Sequence, residues 1–379
     1  MRGFFVFGIV GGIVKNILKR LKYFILSFSI SYIATQKITK PLVSVINAFN
    51  YLPTLKYFQM IDAHGCIKKL KSIRQGTSKY GNAPHKLILI LTIIELIENG
   101  HFSKNEFCID TDFVAHFREN WMLLVDTSHS TDFTQPFYYL QNEKLEGKSL
   151  WELHPNLGFS ITSHIRSINV LKEVVSYASF QEDFYNLLQQ PEFRNIARTT
   201  ILDTYFANTK QQFIIAKYSG QGYINDLEHY LLNEKEAPAY KIGVNSIDEE
   251  EIFVRSGLFP RLIRKVYSST CCMSGMKIIT DYGSDLIEAA HIIPFSLSRD
   301  DKVTNGLALC PNLHTAFDKG LVSIDDDLRV LVSPIISENT EHPYSLAKLN
   351  HKEIIMPFGA KHYPNINNIR WHRDNIFKM

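Results

Sequence analysis

The chain has 379 residues, a length that fits two or three domains. Its hydrophobic content of 45% and charged content of 21% describe globular domains and exclude a largely disordered chain. The net charge of +3 hides an asymmetry: residues 1–60 hold eight of the 41 Lys/Arg and none of the Asp/Glu, leaving 33 basic against 38 acidic residues beyond them, so overall basicity is no argument for a polyanionic partner.

The N-terminal stretch 1–59 contains two apolar runs, Phe4–Val14 and Tyr23–Ile33, separated by a basic patch. Neither reaches the roughly 18–20 residues of a membrane-spanning helix. A signal peptide, an interfacial amphipathic helix and an over-long gene start with translation from Met60 are all open readings. The last ranks first, because acidic residues begin only beyond Met60. Membrane association ranks low, and no function is built on this segment.

Beyond it, residues 87–98 are apolar almost all round, with Pro84 before them and Gly100 after, and predict a buried helix. A second helix is predicted over Asp112–Asp126. Residues 136–153 read as two short strands around a polar turn, Asn142–Lys148, and helices are predicted to dominate 168–206. The polar run from Asn233 and the acidic run from Asp248 read as a linker. From Phe259 a helix is predicted, with Phe259, Leu262, Ile263, Val266 and Tyr267 on one face. The five cysteines, Cys66, Cys108, Cys271, Cys272 and Cys310, are odd in number and show no framework spacing, which points to a reducing, cytoplasmic setting and buried free thiols rather than a structural zinc.

The strongest signal lies in 271–330. Ile287–Ile293 predicts a strand ended by Pro294, Asn305-Gly306 a turn, Leu307–Leu309 a returning strand, and Pro311–Phe317 a short helix stopped at Gly320. The result is strand, loop, strand, helix, with His291 on the first strand and His314 on the helix. Phosphodiester hydrolysis needs an activated water and neutralisation of charge on the phosphate. A neutral histidine suits the first task, and a divalent ion held by His and a carboxylate suits the second. Glu288 lies three residues before His291, so strict alternation puts the two on opposite faces, and a twist or bulge is needed for both to reach one phosphate. Asp318 reads as a cap or orienting group at the helix end.

The strings Ala-Ala-His-Ile-Ile-Pro (289–294) and Leu-His-Thr-Ala-Phe-Asp-Lys-Gly (313–320) resemble the HNH endonuclease family over about 65 residues. The resemblance implies that His291 is the general base, that Asn305 fixes the loop between the strands, and that His314 ligates a metal, Mg²⁺ or Mn²⁺ ahead of Zn²⁺ or Ni²⁺. Many HNH nucleases carry an Asp or His immediately before the base histidine; here that position is Ala290, and Glu288 is the candidate replacement.

Upstream, Ala-Pro-His-Lys-Leu (83–87), Gln-Pro-Phe-Tyr-Tyr-Leu (135–140) and Leu-Leu-Gln-Gln-Pro-Glu-Phe-Arg (187–194) resemble the sulfur-binding domain of McrA-like type IV restriction endonucleases, which cut phosphorothioated DNA. Leu87 stands where the family commonly has a second proline, and Gln135 where a Tyr often precedes Pro-Phe. His85 and Lys86, at a helix start, are candidate phosphate contacts. Arg118 and His129, with His164 and Arg166, are candidates for a basic DNA-facing patch, against the plainer reading of scattered solvated charges.

The expected architecture is α+β and multidomain. After the uncertain segment 1–59 come a mixed α/β DNA-reading domain over 60–210, a linker over 211–252, a ββα-metal (HNH) nuclease domain over 253–345 and a C-terminal extension over 346–379. The expected activity is modification-dependent cleavage of double-stranded, phosphorothioated DNA, by a homodimer if one site per chain is to cut both strands. The rivals are an HNH nuclease acting on unmodified or otherwise targeted DNA, a catalytically inactive DNA-binding protein, and a membrane-attached effector nuclease.

Overall fold

A computed structural model describes residues 63–220, 222–233, 248–281 and 284–379. The readings made for 1–59 lie outside these residues. Among the described residues no helix is long and apolar enough to cross a membrane.

The apolar run at 87–98 forms α1 (His85–Glu98), with eleven of its fourteen residues buried. Leu, Ile and Thr side chains on every face leave no polar side to solvate, so neighbours must cover it on all sides. Beyond its end, Gly100 takes a left-handed conformation (φ 76°) and His101 N–H returns to the Leu96 carbonyl. α2 (Thr111–Leu124) packs against α1 and starts where the Asp110 carboxylate accepts from Phe113 N–H at 2.8 Å.

The sequence 136–141, read as a strand before the turn from Asn142, is helical: α3 (Thr134–Tyr139) and a 3-10 turn through Asn142. Two local causes favour the turn. The Asp132 carboxylate accepts from Gln135 N–H, and the rings of Phe133 and Phe137, one helical turn apart, both enter the core. The strand begins later, as β1 (Trp151–Pro155). It pairs antiparallel with β2 (Val175–Phe180), which follows α4 (Ile168–Val174) inside the stretch expected to be helical. The alternation of buried Ala178 and Phe180 with half-buried Tyr177 and Ser179, and the β-branched Val175 at the start, account for β2. Trp151 sits opposite Phe180 and stacks on Phe107 at 5.5 Å, while Phe113, Phe133 and Phe137 meet edge to face or tilted around them. The indole N–H of Trp151 donates to the Phe137 carbonyl at 2.8 Å, which satisfies the one polar atom of this aromatic core.

α5 (Glu182–Leu188) and α6 (Pro191–Tyr205) follow as expected. The stretch 211–252, read as a linker, holds α7 (Lys210–Ser219), α8 (Tyr223–Leu232) and the start of α9 (Glu249–Val266). α7 buries only Phe213, and α8 only Tyr223, Leu227 and Leu231, so their sequences look polar although they fold. The acidic run at 248–251 is the beginning of α9. The Asp248 carboxylate accepts from Glu250 N–H, and three glutamates occupy the positive end of the helix dipole.

α9 carries the rest of the chain. Against its C-terminal half lies the hairpin of β3 (Glu288–His291) and β4 (Gly306–Leu309), followed by α10 (Pro311–Asp318), the ladder β5 (Val322–Ile324) with β6 (Val330–Val332), and α11 (Ile366–Asn375). Gly306 is required where the hairpin meets α9: a Cβ there would lie 2.4 Å from Ile263 Cδ1 and 2.9 Å from the Phe259 ring. The whole is α+β.

Candidate active site

The strand, loop, strand, helix order places His291 and His314 on the walls of one cavity of about 300 Å³, lined also by Ala289, Phe295, Asp318 and His372. His291 ends β3 opposite Gly306. Its ring lies flat on Phe259 of α9, with centroids 3.9 Å apart, and Nε2 meets the Asp301 carboxylate at 2.9 Å. His314 projects from α10 with Nδ1 2.8 Å from Glu288 and Nε2 3.4 Å from Asp318.

The hairpin ladder is regular from Glu288 to His291, so the bulge that strict alternation called for is absent. Glu288 instead reaches His314 by the length of its own side chain, while Ala289 and His291 face the cavity. Ala290 alternates away from His291 and is fully buried, so no side chain there would reach the cavity.

Asn305 is completely buried and works as a clamp on the loop between the strands. Its Nδ2 donates to the carbonyls of Ile293 and Asp300, and its Oδ1 accepts from Ile293 N–H and Asn368 Nδ2, all between 2.9 and 3.0 Å. The loop so held contains Asp301.

Both ring nitrogens of His314 face carboxylates, a mixed N and O donor set of the kind that divalent cations accept. No group of three or more His, Cys, Asp or Glu among the described residues is arranged to hold an ion with the side chains as they stand. Here Glu288 and Asp318 each turn one carboxylate oxygen towards His314 itself. Beneath the cavity His372 stacks on Phe317 at 3.6 Å, and burial pushes its pKa down to about 4, so it is neutral at ordinary pH.

The upstream candidates separate. His85 is buried against Trp121, with Nε2 on the Ser130 carbonyl at 3.0 Å, and burial lowers its pKa. His129 lies beside it, held by Ser78 and Thr127. Lys86 is paired with Glu143 at 2.6 Å, next to Lys69 on the same buried carboxylate. The pKa of Glu143 is lowered: burial raises it, and the two lysines outweigh that. Lys86 therefore offers DNA only part of its charge.

Arg118 leaves the expected surface patch altogether. It is 4% exposed and faces Asp248 at 2.5 Å, Glu250 at 3.3 Å and Glu251 at 3.9 Å, all at the start of α9. Its position on α2 turns it inward, and burial, which lowers its pKa, is outweighed by Tyr223, Asp248 and Glu250. His164 is half-buried near Arg166, with Nε2 2.9 Å from the Thr134 hydroxyl and its ring 5.7 Å from Tyr138 and 5.3 Å from Tyr139.

Sequence reasoning missed Asp301, Arg255, Asn368 and the ring of Phe259 under His291. Only the short distance of Asp301 from Asn305 hinted at any of them. Cys271, Cys272 and Cys310 are buried and form no disulfide.

Residues 271–325 match the HNH endonuclease family model, and residues 63–219 match the ScoMcrA-like DNA sulfur-binding domain. The chain joins a DNA sulfur-binding domain to an HNH endonuclease domain. Among solved structures, a modification-dependent TagI restriction endonuclease aligns at 29% identity over 32% of this chain, with a TM-score of 0.24. The alignment covers 39% of that protein's length. No curated protein matches.

Proposed function

We propose that the protein is a modification-dependent restriction endonuclease. On this reading residues 60–210 read double-stranded DNA carrying backbone phosphorothioate, and the HNH domain within 253–345 hydrolyses the phosphodiester. The observation that carries the reading is the meeting of His291 and His314 on one cavity, in a chain that also holds a sulfur-binding domain.

His291 is the general base. Its Nε2 proton is engaged by Asp301, which leaves the Nδ1 lone pair to take a proton from water. Asn305 keeps the loop that carries Asp301 in register. His314, with Glu288, holds a divalent cation, Mg²⁺ or Mn²⁺ ahead of Zn²⁺ or Ni²⁺. When bound, the ion neutralises charge on the phosphate and the leaving oxygen.

In the reading domain, the edge formed by Tyr138, Tyr139 and His164 beside Gln135 is the surface for the modified backbone. A phosphorothioate sulfur is larger and more weakly hydrated than oxygen, so aromatic rings favour it through the lower cost of desolvation. His129, partly exposed beside the start of α1, is a secondary phosphate contact, while the buried His85 supports it from behind. One site cuts one strand, so a homodimer is the simplest way to cut a duplex.

The test is cleavage of two otherwise identical plasmids, one phosphorothioated and one plain, in Mn²⁺ or Mg²⁺, with His291→Ala as control. Cutting of the modified plasmid alone, with the variant inert, is the expected result. Equal cutting of both plasmids refutes the sulfur reading and leaves the nuclease. Failure to cut either with any divalent ion refutes the nuclease and favours a DNA-binding protein with an inactive HNH fold.

A further inference from the structure

The loop between β3 and β4 delivers a buried carboxylate to the back of His291. The Asp301 side chain is 4% exposed, and its two oxygens have different partners. Oδ1 meets His291 Nε2 at 2.9 Å, and Oδ2 faces Arg255 Nε at 3.3 Å, an ion pair by charge and distance in which neither atom makes a hydrogen bond. Arg255 is itself 15% exposed and lies on α9 one turn before Phe259, the ring on which His291 stacks. No hydrogen bond is made to His291 Nδ1 among the described residues, so the only directed contact on the imidazole comes from Asp301.

We infer that Asp301, oriented by Arg255, is the positioning residue that sets the tautomer of His291, with the proton on Nε2 and the lone pair on Nδ1. The inference rests on the reading of His291 as the base. Its logic is one of donors and acceptors. An ionised carboxylate only accepts, so it demands a donor from Nε2. A guanidinium is a cation that carries only N–H groups, so its charge favours an oxygen over an amide N–H at the position facing it. Arg255 thereby fixes which end of an unsymmetrical replacement at position 301 faces the histidine.

Asp301→Asn exposes this directly. The side-chain oxygen of Asn turns to Arg255, because the alternative sets an amide N–H against a guanidinium N–H in a buried site. The amide N–H then points at His291 Nε2, which must become the acceptor. The proton moves to Nδ1, and the nitrogen needed as a base is blocked. Adding Arg255→Met removes the demand for an oxygen, lets the amide turn over, and returns the original tautomer.

The experiment uses the full chain with ¹⁵N-labelled histidine. The His291 signals are identified by their loss in His291→Ala, and cleavage of the phosphorothioated plasmid is measured in parallel. The parent is expected to show Nε2–H. Asp301→Asn is expected to show Nδ1–H and a fall in kcat of about 10²–10⁴-fold, the scale of general base catalysis, with KM for DNA little changed. The double variant is expected to recover the Nε2–H signature and at least part of the rate, which a merely structural role for Arg255 would not produce. An unchanged tautomer in Asp301→Asn overturns the inference, and a tautomer that switches without recovery in the double variant overturns the part assigned to Arg255. A switched tautomer with an undiminished rate supports the inference about Asp301 and overturns His291 as base.

Discussion

Arg118→Met removes the one cation shared by Asp248, Glu250 and Glu251 where α2 meets the start of α9. The cost follows from burial. Glu250 is almost wholly buried, its Oε1 accepts from Phe133 N–H at 2.5 Å, and its other oxygen accepts from Thr131. It therefore cannot swing out to water without abandoning the segment that leads into α3. Asp248 is about one-third exposed and is relieved by solvent, and Glu251 keeps an ion pair with Arg255, so most of the penalty falls on Glu250.

Removing one partner of a buried pair costs about 3–5 kcal/mol. At about 2 °C per kcal/mol, the low end for large domains, thermal unfolding is expected to fall by about 6–10 °C at pH 7. The pH dependence has a definite sign. Burial already raises the pKa of Glu250 above its ordinary value, and loss of Arg118 raises it further. A carboxyl with a raised folded pKa holds more protons in the folded state than in the unfolded state between the two pKa values, so stability drops as pH rises through that window. The gap between parent and variant should therefore narrow as pH falls from 7 towards the ordinary carboxylate range. Arg118→Met/Glu250→Gln should recover part of the loss, because glutamine still accepts from Phe133. Thermal unfolding followed by circular dichroism at several pH values reads all three effects. A variant within 2 °C of the parent at pH 7, or a gap that widens on acidification, refutes the reasoning.

Asn305→Ala strips the Ile293 and Asp300 backbone groups of a buried partner, at about 1–3 kcal/mol for each group left unsatisfied, and amide exchange should accelerate across 293–304 ahead of the flanking strands. Gly306→Ala forces Ile263 and Phe259 aside, a cost of about 1–3 kcal/mol by overpacking. It should slow cleavage as well as lower stability, since Phe259 supports the His291 ring. Glu288→Gln is expected to raise the Mn²⁺ concentration for half-maximal cleavage by about tenfold or more, with DNA affinity measured without metal unchanged; an unaltered metal requirement would remove Glu288 from the ion's donor set.

The HNH core was legible because its signal is local. His291, Asn305 and His314 lie within one strand, loop, strand, helix unit, and Pro294, Gly306, Pro311 and Gly320 punctuate it in ways that need no tertiary information. The helix at 85–98 was equally legible, since a run apolar on every face has nowhere to go but inside. Residues 136–141 and 175–180 were misread because short apolar stretches suit either period, and the choice fell to Asp132 and the aromatic core. The acidic start of α9 looked like a linker because a helix's first turn and a solvated loop favour the same residues.

By itself the sequence determined the kinds of chemistry present: two histidines and an asparagine at HNH spacing, behind a domain with sulfur-binding strings. Only the tertiary structure decided which charges are free to act. Arg118 and Lys86 look alike in sequence as candidate DNA contacts, yet one is buried among three carboxylates and the other is paired with Glu143. Arg255 and Asp301, unremarked in sequence, converge on His291 from a helix and a loop 46 positions apart. The physical reason is that a side chain's charge acts through its distance to partners and the water left around it, and both are set by chain segments remote in sequence.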